Sequence, residues 1–173
     1  MDKLAKKNVG KVIDLLSERL AFERAAVKLY DTLHARLRVA TDPALRALLE
    51  QIEHDRDEEK EHEEWLEDQI RELRGDDHLP TEKSVLVLAE TQGIERVIAR
   101  DPRLPHDFHA LLAAELADTA GWDILVRLAD AFGDRVASKE FKQRLREERE
   151  HLSFVRRTVE RYLKEQLTQP PSP

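Results

Sequence analysis

The chain contains no cysteine. Disulfides, thiolate zinc sites, iron–sulfur clusters and a cysteine nucleophile are therefore excluded. Glycine and proline are also scarce, at five and seven of 173 residues, a shortage that favours long helices over a sheet protein. No apolar run approaches the roughly 18 residues needed to span a bilayer, and the opening MDKLAKKNVGK lacks the apolar stretch of a secretion signal. Nor is there a basic stripe. Lys and Arg are mixed among Asp and Glu, for a net charge of −7, which argues against a nucleic-acid partner. The expectation is a cytoplasmic protein with neither membrane nor nucleic acid as partner.

What the chain has is charge, 38% of its residues against 40% hydrophobic. Such a balance suits helices with one apolar seam and a solvated outer face. A chain of 173 residues can bury a sizeable core as one domain, expected over 8–164, with 1–7 and 165–173 as flexible termini. Four long helices are predicted. The first runs from about Asn8 to Val39, with Val9, Ile13, Leu16, Leu20, Glu23, Val27, Tyr30, His34 and Leu37 on its seam. The second follows a Thr41-Asp42-Pro43 cap and carries Leu45, Leu48, Ile52, Asp55, Glu59, His62, Leu66 and Ile70. The third starts near Asp101-Pro102 or Pro105 and places Phe108, Leu112, Glu115, Thr119, Trp122 and Val126 inward. It ends at Gly133, with Ser138 as cap of a fourth helix holding Phe141, Leu145, Glu148, Leu152, Val155 and Val159. The long 75–106 connection carries a helix of its own, Ser84 to Ala99, interrupted at Gly93, and reads as a crossover along the bundle.

An acid therefore interrupts the apolar seam of every long helix. Glu23 precedes Glu59-x-x-His62 by 36 residues, and Glu115 precedes Glu148-x-x-His151 by 33. An isolated E-x-x-H carries little weight among 21 Glu and seven His. Position carries more. The midpoints of the two Glu pairs fall at the two hairpin turns, so all four carboxylates lie roughly 25–27 Å from their turns at 1.5 Å per residue, level in mid-bundle. Buried carboxylates without partners cost several kcal/mol each. Four Glu with two divalent cations are neutral, and carboxylate with imidazole suits iron, with manganese and zinc as alternatives. Asp55 and Asp118 face the same region as outer partners of the histidines, Asp118 also as an extra ligand.

On Glu23, Glu59, His62, Glu115, Glu148 and His151, the chain over about 8–164 resembles the ferritin-like di-iron carboxylate superfamily, which includes bacterioferritins and rubrerythrins. The resemblance implies an all-α, antiparallel four-helix bundle holding two iron ions. It also implies that Glu59 and Glu148 bridge while Glu23 and Glu115 are terminal ligands. Met1 is the sole methionine, so the haem-binding methionine pair is absent and no haem is expected. The rubredoxin-like cysteine pairs are absent too, and the fifth short helix of cage-forming ferritins is not expected.

Tyr30 and Trp122 lie seven residues after Glu23 and Glu115. Both read first as core aromatics whose polar tips find partners, with a redox role as the alternative. Gly121, unfavourable inside a helix, implies that something packs close beside it. His34 is too far from Glu23 to share its ion, and His54, His78, His106 and His109 read as solvated surface. The leading functional expectation is a ferroxidase, a peroxidase or a related oxidoreductase with O₂ or H₂O₂ as co-substrate, monomeric or homodimeric. Iron storage or metal buffering, and an interaction module with a structural metal, are the rivals.

Overall fold

The computed structural model describes residues 1–100 and 103–168. Among them the elements run α1 (Asp2–Arg38), α2 (Pro43–Arg46), α3 (Leu49–Glu72), α4 (Glu82–Arg100), α5 (Leu104–Ala131) and α6 (Arg135–Thr168), with no strand. Helices α1 and α3 form one hairpin and α5 and α6 the other. α1 also packs on α5, whereas α3 and α6 meet mainly through side chains. The crossover helix α4 lies against α1 and α5. As a result α1 is covered on two faces, burying Val12, Ser17, Ala21 and Ala25 besides the seam through Leu16, Leu20, Glu23 and Tyr30. No described helix is long and apolar enough to cross a membrane.

Local chemistry explains the boundaries, including those that differ from expectation. Asp42 accepts a hydrogen bond from the Ala44 amide at 2.8 Å, with Pro43 at the first helical position. The helix it starts stops after one turn, so the second bundle helix comes in two pieces, α2 and α3. At α4, Thr81 and Ser84 exchange backbone-to-hydroxyl bonds, and Asp14 of α1 accepts from the Lys83 amide at 3.1 Å. Gly93 does not interrupt α4, since it faces open space and the helix continues through it. Pro105 sits in the first turn of α5, while Asp101 and Pro102 fall outside the described residues. Gly133 takes a left-handed φ of 68° after α5. The cap of α6 is Asp134 rather than Ser138: its Oδ1 accepts from the Ala137 amide, and the Ser138 hydroxyl donates to Asp130 instead.

The N-terminal segment is not a flexible tail. Residues 2–7 are helical, and the amides of Lys3 and Leu4 donate to Asp134 at 2.9 and 3.2 Å, docking the segment on the α5–α6 turn. Helix α1 kinks at Asn8 (φ −164°, ψ 93°), whose side chain caps the longer part by accepting from the Lys11 amide. At the other end α6 continues to Thr168, and the remainder of the expected tail, 169–173, lies outside the described residues.

Two apolar clusters fill the bundle. One contains Tyr30, Leu33, Leu37, Ile52, Phe108, Leu111, Val155 and Val159. The other contains Leu16, Leu20, Leu66, Ile70, Trp122, Val126, Phe141 and Leu145. Along each helix the seam acid falls between members of the two clusters, so a polar layer separates two apolar cores. Each fully buried Leu, Ile or Phe contributes roughly 1.5–3 kcal/mol, enough in aggregate to tolerate that layer.

Candidate metal centre

Glu23, Glu59, Glu115, Glu148, His62 and His151 are all essentially buried. Their donor atoms form two groups, each with atoms within 4.8 Å of one another: Glu23, Glu59, His62 and Glu148, and Glu59, Glu115, Glu148 and His151. Glu59 and Glu148 belong to both. Glu148 turns one oxygen to each histidine, Oε1 at 2.8 Å from His62 Nδ1 and Oε2 at 3.7 Å from His151 Nδ1. Glu59 Oε1 lies 3.3 Å from His151 Nδ1, and Glu23 Oε2 lies 3.6 Å from His62 Nδ1.

None of those contacts closes with regular hydrogen-bond geometry. Both oxygens of Glu59 and of Glu148, one oxygen each of Glu23 and Glu115, and Nδ1 of both histidines are buried without a hydrogen-bond partner. Such orphaned atoms are costly in a native interior unless something else satisfies them. Their convergence fits a pair of cations held by oxygen and imidazole. The remaining polar atoms are tied down. His62 Nε2 pairs with Glu147 at 2.9 Å and His151 Nε2 with Glu58 at 2.8 Å, each bond crossing between α3 and α6. An imidazole that donates through Nε2 presents the lone pair of Nδ1 to the centre. Tyr30 donates to Glu115 Oε1 at 2.6 Å, and Trp122 Nε1 donates to Glu23 Oε1 at 2.9 Å.

The outer partners differ from those expected. Asp55 is buried, but its nearer oxygen is 3.9 Å from His151 Nε2 and accepts instead from Gln51 at 2.7 Å. Asp118 lies outside both donor groups and pairs with Arg19 at 2.6 Å. The residues that hold the histidines are Glu58 and Glu147. Their signal was the doubled acid in E-E-x-x-H, present at Glu58-Glu59 and again at Glu147-Glu148. Arg19 gave no such signal. Gly121 did: a Cβ there would stand 2.1 Å from the Arg19 guanidinium carbon, so its lack of a side chain makes room for that group. His54 is exposed, as expected, and with Asp55 and Glu58 makes a three-residue group on the outer side of His151.

Without metal, protons compensate the charge. Burial and the neighbouring Glu148 and Glu23 push Glu59 well up. Burial, with Glu148, raises Glu115 to about 8 against the opposing His151 and Tyr30. Burial, Glu148 and Glu23 also raise Asp118, with Arg19 opposing. For His62 and His151 burial favours the neutral ring but is outweighed, by Glu147, Glu148 and Glu23 for the first and by Glu148, Glu58 and Glu59 for the second. Glu148 goes the other way. Burial would raise it, yet the two imidazoles hold it at about 2.

A solved structure shares this arrangement of helices. It is described as a ferritin-like, di-iron-carboxylate protein from Bacillus anthracis strain Ames, and it matches with a TM-score of 0.67 over 87% of this chain and 96% of that one. The fold is ferritin-like. At 15% identity the likeness concerns the fold alone. No family model and no curated protein sequence matches the chain.

Proposed function

We propose that the chain is a binuclear non-haem iron protein that reduces O₂ or H₂O₂, as a ferroxidase or peroxidase. The observation that carries this reading is the pair of donor groups joined through Glu59 and Glu148. Glu59 and Glu148 would bridge, with Glu23 and His62 completing one position and Glu115 and His151 the other. Bound iron would supply one-electron redox chemistry and open positions for an oxygen ligand.

The chain's own residues define the surroundings of that chemistry. Glu58 and Glu147 fix both imidazoles through Nε2. Tyr30 and Trp122 occupy one oxygen of each terminal glutamate, leaving the other to face the centre. Burial and the carboxylates push the Tyr30 phenol well above its ordinary value, so it stays a donor. The two apolar clusters exclude water from either side of the layer.

Elemental analysis of protein purified without chelator tests the metal, with two iron ions per chain expected. Manganese or zinc in their place would overturn iron, and saturation at one equivalent would overturn the binuclear reading. Stopped-flow absorbance tests the activity. A ferrous form unchanged by either O₂ or H₂O₂ would exclude ferroxidase and peroxidase alike.

A further inference from the structure

Trp122 does more than touch Glu23. Its ring lies 5.7 Å from the His62 ring and 6.2 Å from that of Trp65, centroid to centroid. Trp122 is fully buried, whereas Trp65 is half-buried and reaches the surface. Phe141 packs against both indoles, at 5.9 Å from Trp65 and 6.1 Å from Trp122. The guanidinium of Arg144 stacks over Trp65 at 3.8 Å. These are the chain's two tryptophans, and they stand in line from the metal centre outward.

Among the described residues the other half of the bundle holds no pair of indoles. Phe154 stands six residues after Glu148, as Trp65 stands six after Glu59. Phe154 packs on Phe108 at 6.5 Å, and Tyr162 has Phe108 as its ring neighbour at 5.8 Å; a phenylalanine ring is far harder to oxidise than an indole. Tyr30 has His151 as its ring neighbour at 6.2 Å. The asymmetry marks one route.

We propose that Trp65 and Trp122 form an electron relay, with Trp65 the entry point for an external one-electron donor. The inference rests on the redox reading of the metal centre. Peroxide is the terminal oxidant: its O–O bond breaks as two electrons and two protons convert it to two waters. The electrons pass singly. Trp122 gives one towards the centre, Trp65 refills Trp122, and the donor refills Trp65. The Nε1 proton of Trp122, made acidic by loss of an electron, shifts along its bond to Glu23 and returns when Trp65 refills the ring, so that hop moves no net proton.

Arg144 sets where the oxidising equivalent rests. A cation over an indole face is attracted to the neutral ring but repels the ring once it has lost an electron. Trp122 instead faces the carboxylate of Glu23, which stabilises the same positive charge. An oxidising equivalent therefore rests on Trp122 and leaves outward only when a donor refills Trp65.

The test is flash photo-oxidation of the zinc-loaded full chain by ruthenium(III) tris-bipyridine, followed by transient absorbance and electron paramagnetic resonance of the indole radical. In the parent, a radical on Trp65 should decay into a longer-lived one on Trp122. Trp65→Phe should slow formation of the Trp122 radical about tenfold or more, roughly 1.4 kcal/mol in barrier, and Trp65→Tyr should restore part of the rate. Trp122→Phe should leave the Trp65 radical alone, and Arg144→Gln should lengthen the life of that radical. A parental rate in Trp65→Phe overturns the relay. In iron-loaded protein, Trp65→Phe should slow donor-dependent peroxide turnover and spare the first oxidation of the ferrous form. If the radical transfers in the zinc form but the iron form ignores peroxide, the redox reading fails and the relay loses its role. If peroxide reacts but no radical transfers, the relay alone fails.

Discussion

Tyr30 and Trp122 each bond to a glutamate on the opposite hairpin, α1 to α5 and α5 to α1. Each therefore orients one terminal carboxylate, and their replacement should act on one metal position at a time. A hydrogen bond to a charged group is worth about 1.5–3 kcal/mol. Tyr30→Phe should weaken binding at the group containing Glu115 and His151, and Trp122→Phe at the group containing Glu23 and His62. Calorimetric titration resolving two steps would check this, and equal loss at both steps in both variants would refute the assignment. Gly121→Ala makes a different point at the same scale. The change gains about 1 kcal/mol of helix propensity. It also drives a Cβ into the buried guanidinium of Arg19, where breaking a buried ion pair costs about 3–5 kcal/mol. Net destabilisation of a few kcal/mol is expected in urea melts, and a neutral result would mean that Arg19 and Asp118 can separate without loss.

At the scale of elements, α3 and α6 repeat one device. The first acid of E-E-x-x-H reaches across to the other helix's histidine, and the second turns into the centre. Loss of such an outer partner typically lowers metal affinity about 10–100-fold. Glu147→Ala should do so at the His62 position while the bundle stays folded, measured by competition with a chelator; unchanged affinity would mean that packing alone holds the ring. The inner acids were legible from sequence because they break an apolar seam at matched distances from two turns. Glu58 and Glu147 were marked only by the doubled acid, a weak signal because an acid on an outer helix face is common in a chain with 21 Glu. Arg19 was hidden for a related reason. A single seam describes a helix covered on one face, whereas α1 packs on α3, α4 and α5. The break between α2 and α3 left no mark on the hydrophobic pattern, which runs through it. The docking of residues 2–7 depends on Asp134, a contact between opposite ends of the chain that no local pattern reports.

For the whole molecule, the centre lies between the two hairpins. The α3 and α6 backbones approach closely at few points, and the His62–Glu147 and His151–Glu58 bonds, with Arg144 stacked on Trp65, join them through side chains. Metal should therefore tighten that side, and its effect on stability should depend on pH. In the metal-free fold, Glu115 is raised from 4.5 to about 8, and Glu59, His62 and His151 are raised as well. Groups raised on folding bind more protons folded than unfolded. Their stabilisation is fully present below the unfolded values and is lost as pH rises through the folded ones. Glu148, lowered from 4.5 to about 2, acts oppositely: its contribution is present above 4.5 and is lost as pH falls towards 2. Metal-free stability should thus be greatest in mildly acidic solution and decline towards pH 8. Metal replaces those protons, so binding should release them and strengthen over the same range. The gap in Tm between loaded and metal-free protein should widen from about pH 5 to pH 8, the window set by these shifts, with the strongest change in amide-exchange protection along α3 and α6. A gap independent of pH would mean that the carboxylates and imidazoles do not exchange protons for metal, and that the polar layer is held by other means.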